Sequence, residues 1–299
     1  MNRRTPTSAT AFAVAAIGIA SYSVMDAVMK GMSIAHGAYS AVLWRSVAGV
    51  VLMLPIFFAR RRPWPGREAL VLHVSRGAVA GASVLLFFWG LVRVPMAQGV
   101  ALTFLAPLIA LFLAAATLGE TIRRTAIGGS IIASLGVLAI AAGQWQAHAS
   151  TEIVLGSLAI VAASILYAGS LILLRRQAQV ADPLEVALFT SIVLAGLLLI
   201  GAPWFSSMPA VALWPGIFGA ALLGSVSAIL LAWAYRHAEA QVLAPVEYTA
   251  FVWSAILGYV VFGEHVTAWT VAGALLIIAG CLFAIRGKAA PAPQTEAAA

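Results

Sequence analysis

Residues 240–264 read AQVLAPVEYTAFVWSAILGYVVFGE, an apolar run long enough to cross a bilayer that still carries Gln241, Pro245, Glu247 and Tyr248 in its first half. A charged side chain at membrane depth costs about 2.5–3.5 kcal/mol on insertion scales, so it marks a functional site by default. The run has an echo. Residues 97–120 read AQGVALTFLAPLIALFLAAATLGE, opening on the same Ala-Gln and closing on the same Gly-Glu. The copies, 25 and 24 residues long, lie in opposite halves of the chain.

Around these runs the composition is that of a membrane protein. Apolar residues make up 63% of the chain and charged residues 9%, against about 25% charged in soluble domains. The apolar runs are too long and continuous for the alternating strands of a barrel. With 299 residues and about 20 per span, about ten helices fit. Charges and turn residues place them at about 9–29, 38–59, 70–90, 97–118, 125–143, 153–174, 184–203, 213–235, 241–262 and 267–286. The uncharged run 186–235 is too long for one span, and Pro203, Ser206, Ser207, Pro209 and Pro215 mark the turn that divides it. The Ala/Pro-rich tail 288–299 reads as disordered.

Ten spans put both termini on one side. That side collects thirteen basic residues, among them Arg60, Arg61, Arg62, Arg123, Arg124, Arg175 and Arg176, while the other holds only Lys30 and Arg93. The positive-inside rule therefore sets both termini in the cytoplasm of a multi-pass inner-membrane protein. Basic residues scattered between apolar runs form no groove for nucleic acid, despite the net charge of +7. Arg3 and Arg4 before an apolar run look like a signal peptide. Cleavage is not expected, because that run has a counterpart in the second half.

The repeat has a measurable offset of 144. Trp89 falls on Trp233, Gly119-Glu120 on Gly263-Glu264, and Gly129, Gly136 and Gly143 on Gly273, Gly280 and Gly287. More loosely, Ala-Ser-Tyr around Tyr22 resembles the segment around Tyr167. Five spans per half is an odd number, so the halves 8–143 and 150–287 insert in opposite senses. The expected fold class is all-α integral membrane, about ten transmembrane helices built as two inverted five-helix repeats, with a solute site near the midplane.

Two tandem five-helix units, each with a span ending in Leu/Phe-Gly-Glu (Leu118-Gly119-Glu120 and Phe262-Gly263-Glu264), resemble the EamA group of the drug/metabolite transporter superfamily. In the first unit Ala106-Pro107-Leu108 leading to Leu118-Gly119-Glu120 is similar to that group's most recognisable stretch. The resemblance covers nearly all of 8–287 and implies carrier-type movement of small metabolites across a cytoplasmic membrane. The second unit departs from the pattern: Phe251 stands where Pro107 maps, and its proline is Pro245.

Glu247, Phe251 and Ser254 fall on one helical face, with Tyr248 and Trp253 near it. A carboxylate, aromatic walls and a carbonyl freed by Pro245 suit a cationic or zwitterionic solute. The plainer alternative is that Glu247 meets water or Arg236 near the cytoplasmic end. The first span offers Tyr22, Asp26 and Lys30 at i+4 steps, with Arg45 near the same outer end. These either serve substrate passage or form a structural pair of Asp26 with Arg45 or Lys30. Arg76 is expected to snorkel to its nearer end. Trp89, Gln98 and Thr103 are candidate neutral contacts, or else helix–helix bonds. Glu120 and Glu264 read as interfacial termini or folding elements. The glycines seven apart drift about 20° per step into stripes for close helix packing, and could also serve a homodimer face.

No HExxH, GxSxG or phosphate loop is present, and the single Cys281 and five scattered histidines assemble no metal site. No cofactor or catalytic residue is implied. The reading is a carrier of small polar or amphipathic metabolites, amino acids or derivatives first, with amphipathic drug efflux as the alternative and a membrane enzyme or channel a distant third. Cysteines introduced at Ser150 and Gly66 in a Cys281→Ser background should show opposite accessibility to an impermeant thiol reagent. Equal labelling would sink the inverted arrangement.

Overall fold

The computed structural model describes residues 8–60, 64–118, 124–146, 150–177, 180–237, 243 and 246–285. Gly119, Glu120, His148, Gln241, Pro245, Gly287 and the tail 288–299 lie outside the described residues. The described chain is all-helical: α1 Ser8–His36, α2 Ala38–Ala59, α3 Arg67–Leu91, α4 Met96–Thr103, α5 Leu105–Leu118, α6 Arg124–Gln146, α7 Thr151–Gln177, α8 Pro183–Phe205, α9 Trp214–His237, α10 Thr249–Phe262 and α11 Ala268–Ile285. Among the described residues, eight helical stretches are long and apolar enough to span a bilayer, with α4 and α5 together forming one of them. The shorter α10 and α11 are equally apolar. Side chains such as Leu138, Ile200 and Val260 point outward, as lipid-facing positions do.

Local chemistry sets the boundaries. Gly37 takes φ +82° between α1 and α2, a left-handed turn open to glycine at little cost. Asp182 caps α8, its Oδ1 accepting from Glu185 N at 3.0 Å, with Pro183 at the first helical position. The expected break after Pro203 appears as an extended segment and one turn of 3₁₀ helix, Val211–Leu213.

The helices pair in a definite pattern: α1 lies against α9, α3 against α7, α6 against α11, α2 against α8, and α4 against α10. The glycine stripes explain one pair. A Cβ on Gly136 would stand 2.5 Å from Gly273 O, and one on Gly280 would stand 2.5 Å from Gly129 O. The stripes of α6 and α11 therefore meet each other within the chain, backbone to backbone. Gly136→Leu should lower the yield of folded, monodisperse protein sharply, because backbone cannot retreat from the added side chain. Normal yield and elution would contradict that contact.

Candidate functional site

Two spans break at equivalent places. Pro107 has no N–H to offer the Thr103 carbonyl, and the helix turns at Phe104, whose N–H bonds Ala101 O at 3.2 Å. The ninth span turns at Tyr248, with Phe251 N–H bonded to Tyr248 O at 3.2 Å. Residues 104 and 248 stand at the same offset of 144 as the repeat. Their rings meet edge to face, centroids 5.1 Å apart. The two halves thus bend alike, although the proline of one maps onto Phe251 of the other.

Glu247 immediately precedes the second break, and its carboxylate is exposed. It lies within electrostatic reach of Tyr167 on α7 and of its neighbour Tyr248. Tyr167 is reached in turn by Arg76 of α3. Tyr22 of α1 is the hub, with Tyr167, Arg45, Asp26 and Arg76 all acting on it. Tyr167 keeps 48% of its surface open, yet its electrostatic neighbours come from other helices. Arg45 lies about 10 Å along α2 from Ala38, and Arg76 about 14 Å along α3 from Arg67. Successive spans run oppositely, so the two arginines enter a core about 30 Å thick from opposite faces, each more than one helical turn inside it.

The EamA-like transporter family matches residues 9–142 and again 154–286. The chain belongs to that family. Its relatives include a pseudopaline exporter of Pseudomonas aeruginosa, 25% identical over 89% of this chain and 93% of its own length. A riboflavin transporter of Brucella anthropi is 25% identical, covering 81% of this chain and 86% of its own length. An S-adenosylmethionine uptake transporter of Rickettsia bellii is also 25% identical, over 90% and 91% respectively. A solved crystal structure aligns with a TM-score of 0.61 at 20% identity, covering 93% of this chain and 98% of its own, and so shares the fold.

In this EamA-like chain the other expected residues separate from the cluster. Tyr248 and Phe251 pack on the core shared by α4, α7 and α11. Trp253 is 38% exposed. Trp89 lies under Arg93, whose guanidinium sits 3.5 Å from its ring centroid and also bonds Glu152 at 2.6 Å. Gln98 donates to Ser157 Oγ at 3.0 Å, a helix–helix bond, and Thr103 Oγ1 turns back to Val100 O at 2.7 Å. Arg76 does not snorkel: its Nη1 donates to Thr190 Oγ1 of α8 at 2.7 Å, which holds the guanidinium inward. Tyr167 was visible in sequence only as the echo of Tyr22. Among the described residues no cluster of three or more His, Cys, Asp or Glu could hold a metal.

Lys30 does not pair with Asp26. Its ammonium, 2% exposed, bonds the Glu264 carboxylate and donates to Val94 O at 2.8 Å. The Gly-Glu motif explains the geometry. Gly263 takes φ +66° and ends α10 in an αL cap, its N–H bonding Tyr259 O at 3.0 Å while Glu264 N–H bonds back to Gly258 O at 3.0 Å. The turned Glu264 reaches Lys30 with Oε1 and accepts Met96 N–H at the start of α4, 2.7 Å away, with Oε2. The structure thereby makes Glu264 a folding element that ties α1, α4 and α10 at one end. Because Lys30 would remain charged and buried, Glu264→Gln should destabilise the protein by about 3 kcal/mol. The double variant Lys30→Met/Glu264→Gln should recover part of that loss. Thermal unfolding in detergent checks both, and equal midpoints for all forms would show the pair carries no stability.

Proposed function

We propose that this protein is a secondary carrier that moves small polar or amphipathic metabolites, amino acids or their derivatives first, across the bacterial inner membrane by alternating access. The observation that carries the reading is the cluster itself. Asp26 and Glu247 supply two carboxylates, Arg45 and Arg76 two guanidiniums, and Tyr22 and Tyr167 two hydroxyls, drawn from both halves of the chain. Opposite charges within electrostatic reach of the same two tyrosines suit a zwitterion.

The inverted repeat, 8–143 against 150–287, is part of the same proposal, and the helix pairs support it. If α1 corresponds to α7 and α3 to α9, the pair α1–α9 maps onto α7–α3. Under the same exchange, α2–α8, α4–α10 and α6–α11 each map onto themselves. Cytoplasmic termini rest on the distribution of basic residues. Clefts of 720 Å³ and 230 Å³, lined by Arg67, Arg176, Leu113 and Thr117 among others, lie at the end opposite Glu264. A homodimer would have to use faces of α6 and α11 other than the glycine stripes, which are occupied within the chain.

Counterflow in liposomes tests the carrier reading, since only a carrier is accelerated by solute on the far side. Glu247→Gln keeps size and hydrogen bonding but removes the charge. It should weaken cationic and zwitterionic solutes by about tenfold, the scale of one charge-assisted hydrogen bond. If Glu247 exchanges a proton instead, counterflow survives in the variant and transport driven by a pH gradient fails. Wild-type kinetics from about pH 5.5 to 8 in the variant would remove Glu247 from the site. Counterflow of hydrophobic dyes without amino-acid counterflow would favour drug efflux.

A further inference from the structure

Arg45 and Arg76 are the least expected occupants of the bundle interior. Each carries a charge that is costly at membrane depth, and each has a buried Nε with no hydrogen-bond partner. An arginine fork presents five donors, and two forks unsatisfied at the same atom are an open demand for acceptors. Arg76 is held by Thr190 through Nη1 alone. Gly224 of α9 lies against Arg45: a Cβ added there would meet Arg45 Nη1 at 3.9 Å, an ordinary contact, so a bare glycine leaves room for a methyl beside the guanidinium. Both guanidiniums act on Tyr22, and Arg76 also on Tyr167, so two phenols lie within electrostatic reach of the pair. The carboxylates sit to either side, Asp26 within reach of Arg45 and Glu247 within reach of Tyr167.

We infer that Arg45 and Arg76, flanked by Tyr22 and Tyr167, form a subsite for the carboxylate of the solute. The cationic group of such a solute would be drawn toward the Asp26 and Glu247 carboxylates, which act on Tyr22 and Tyr167. The inference rests on the carrier reading and narrows it, from metabolites in general to solutes bearing a carboxylate beside an amine. Planar guanidiniums match a carboxylate through paired N–H donors, which a lysine could not do. A neutral carboxamide of the same shape offers one acceptor and two donors, and its donors would oppose the guanidinium N–H groups. Discrimination between acid and amide is therefore the signature of the site.

The test uses the full chain purified in maltoside detergent. Phenylglyoxal labels arginine, and mass spectrometry follows Arg45 and Arg76 against Arg67, exposed at the start of α3, as the internal control. The probes are the common L-amino acids and their carboxamides, each at millimolar concentration. At least one acid should slow labelling of Arg45 and Arg76 about tenfold relative to Arg67, while its carboxamide does not. Equal protection by acid and amide, or protection by no acid, overturns the subsite. This comparison needs no mutant to fold. Arg76→Gln should then weaken the protecting acid about tenfold and leave the amide unchanged, with Arg76→Lys recovering only part of the loss. An unchanged affinity in a monodisperse Arg76→Gln protein also overturns it. Counterflow separates the two claims. Counterflow without acid–amide discrimination refutes the subsite alone, and carboxylate protection without counterflow of any solute refutes the carrier alone.

Discussion

A helix that breaks inside a bilayer frees backbone carbonyls where no water can take them, and the fold depends on where their partners come from. At the break in the fourth span, Ser164 of α7 donates to Leu102 O at 3.3 Å, and Cys281 Sγ of α11 donates to Phe104 O at 3.2 Å. Both donors belong to the second half of the chain. The break in the first half is therefore stable only against the second half, and the Phe104–Tyr248 ring contact joins the two breaks directly. Cys281, with no visible role in the sequence, acts as a small apolar residue whose weak donor suits this position.

The ends of the bundle are tied by different chemistry. At one end the tie is a buried ion pair, Lys30–Glu264, reinforced by Val94 O and Met96 N–H. At the other, Gln177 Nε2 donates to His73 Nδ1 at 2.5 Å, which leaves His73 Nε2 to donate to Glu185 at 2.8 Å. His73 also stacks on Phe189, ring centroids 4.5 Å apart. Both ties bridge elements from the two halves. A carrier that opens each end in turn needs the two closures to be of similar free energy, because a solute shifts the balance only by its differential affinity for the two states.

The apolar runs, the offset of 144 and the Gly-Glu motif were legible because length, spacing and a glycine-dependent turn leave marks in one dimension. The facing of side chains was not. Lipid and protein interior are equally apolar, so no amphipathic stripe shows which face of a span looks inward. Lys30 sits one helical turn after Asp26 and reads as its partner, yet it belongs to Glu264, some 230 residues away. Arg76 sits near enough to a helix end to read as snorkelling, and only the presence of Thr190 on α8 decides otherwise. The departure at Phe251 pointed away from a matching bend in the second half, yet the two breaks stand at the same offset of 144. A proline can permit a break, but here the break at Tyr248 occurs without one at the matching position, because the partner break already lies against it.

That contact bears on how site and fold would communicate in a carrier of the kind proposed. Glu247 is covalently one residue from the turn at Tyr248, whose ring touches Phe104, whose carbonyl is held by Cys281. A change in the turn alters the backbone that carries Glu247, and with it the position from which the carboxylate acts on Tyr167. Conversely, a cation drawn to Glu247 would act on the residue just before the turn at Tyr248, where the ninth span departs from regular helix. Charge at the site and geometry at the break are thus a single mechanical unit, and no longer chain of contacts is needed to connect them.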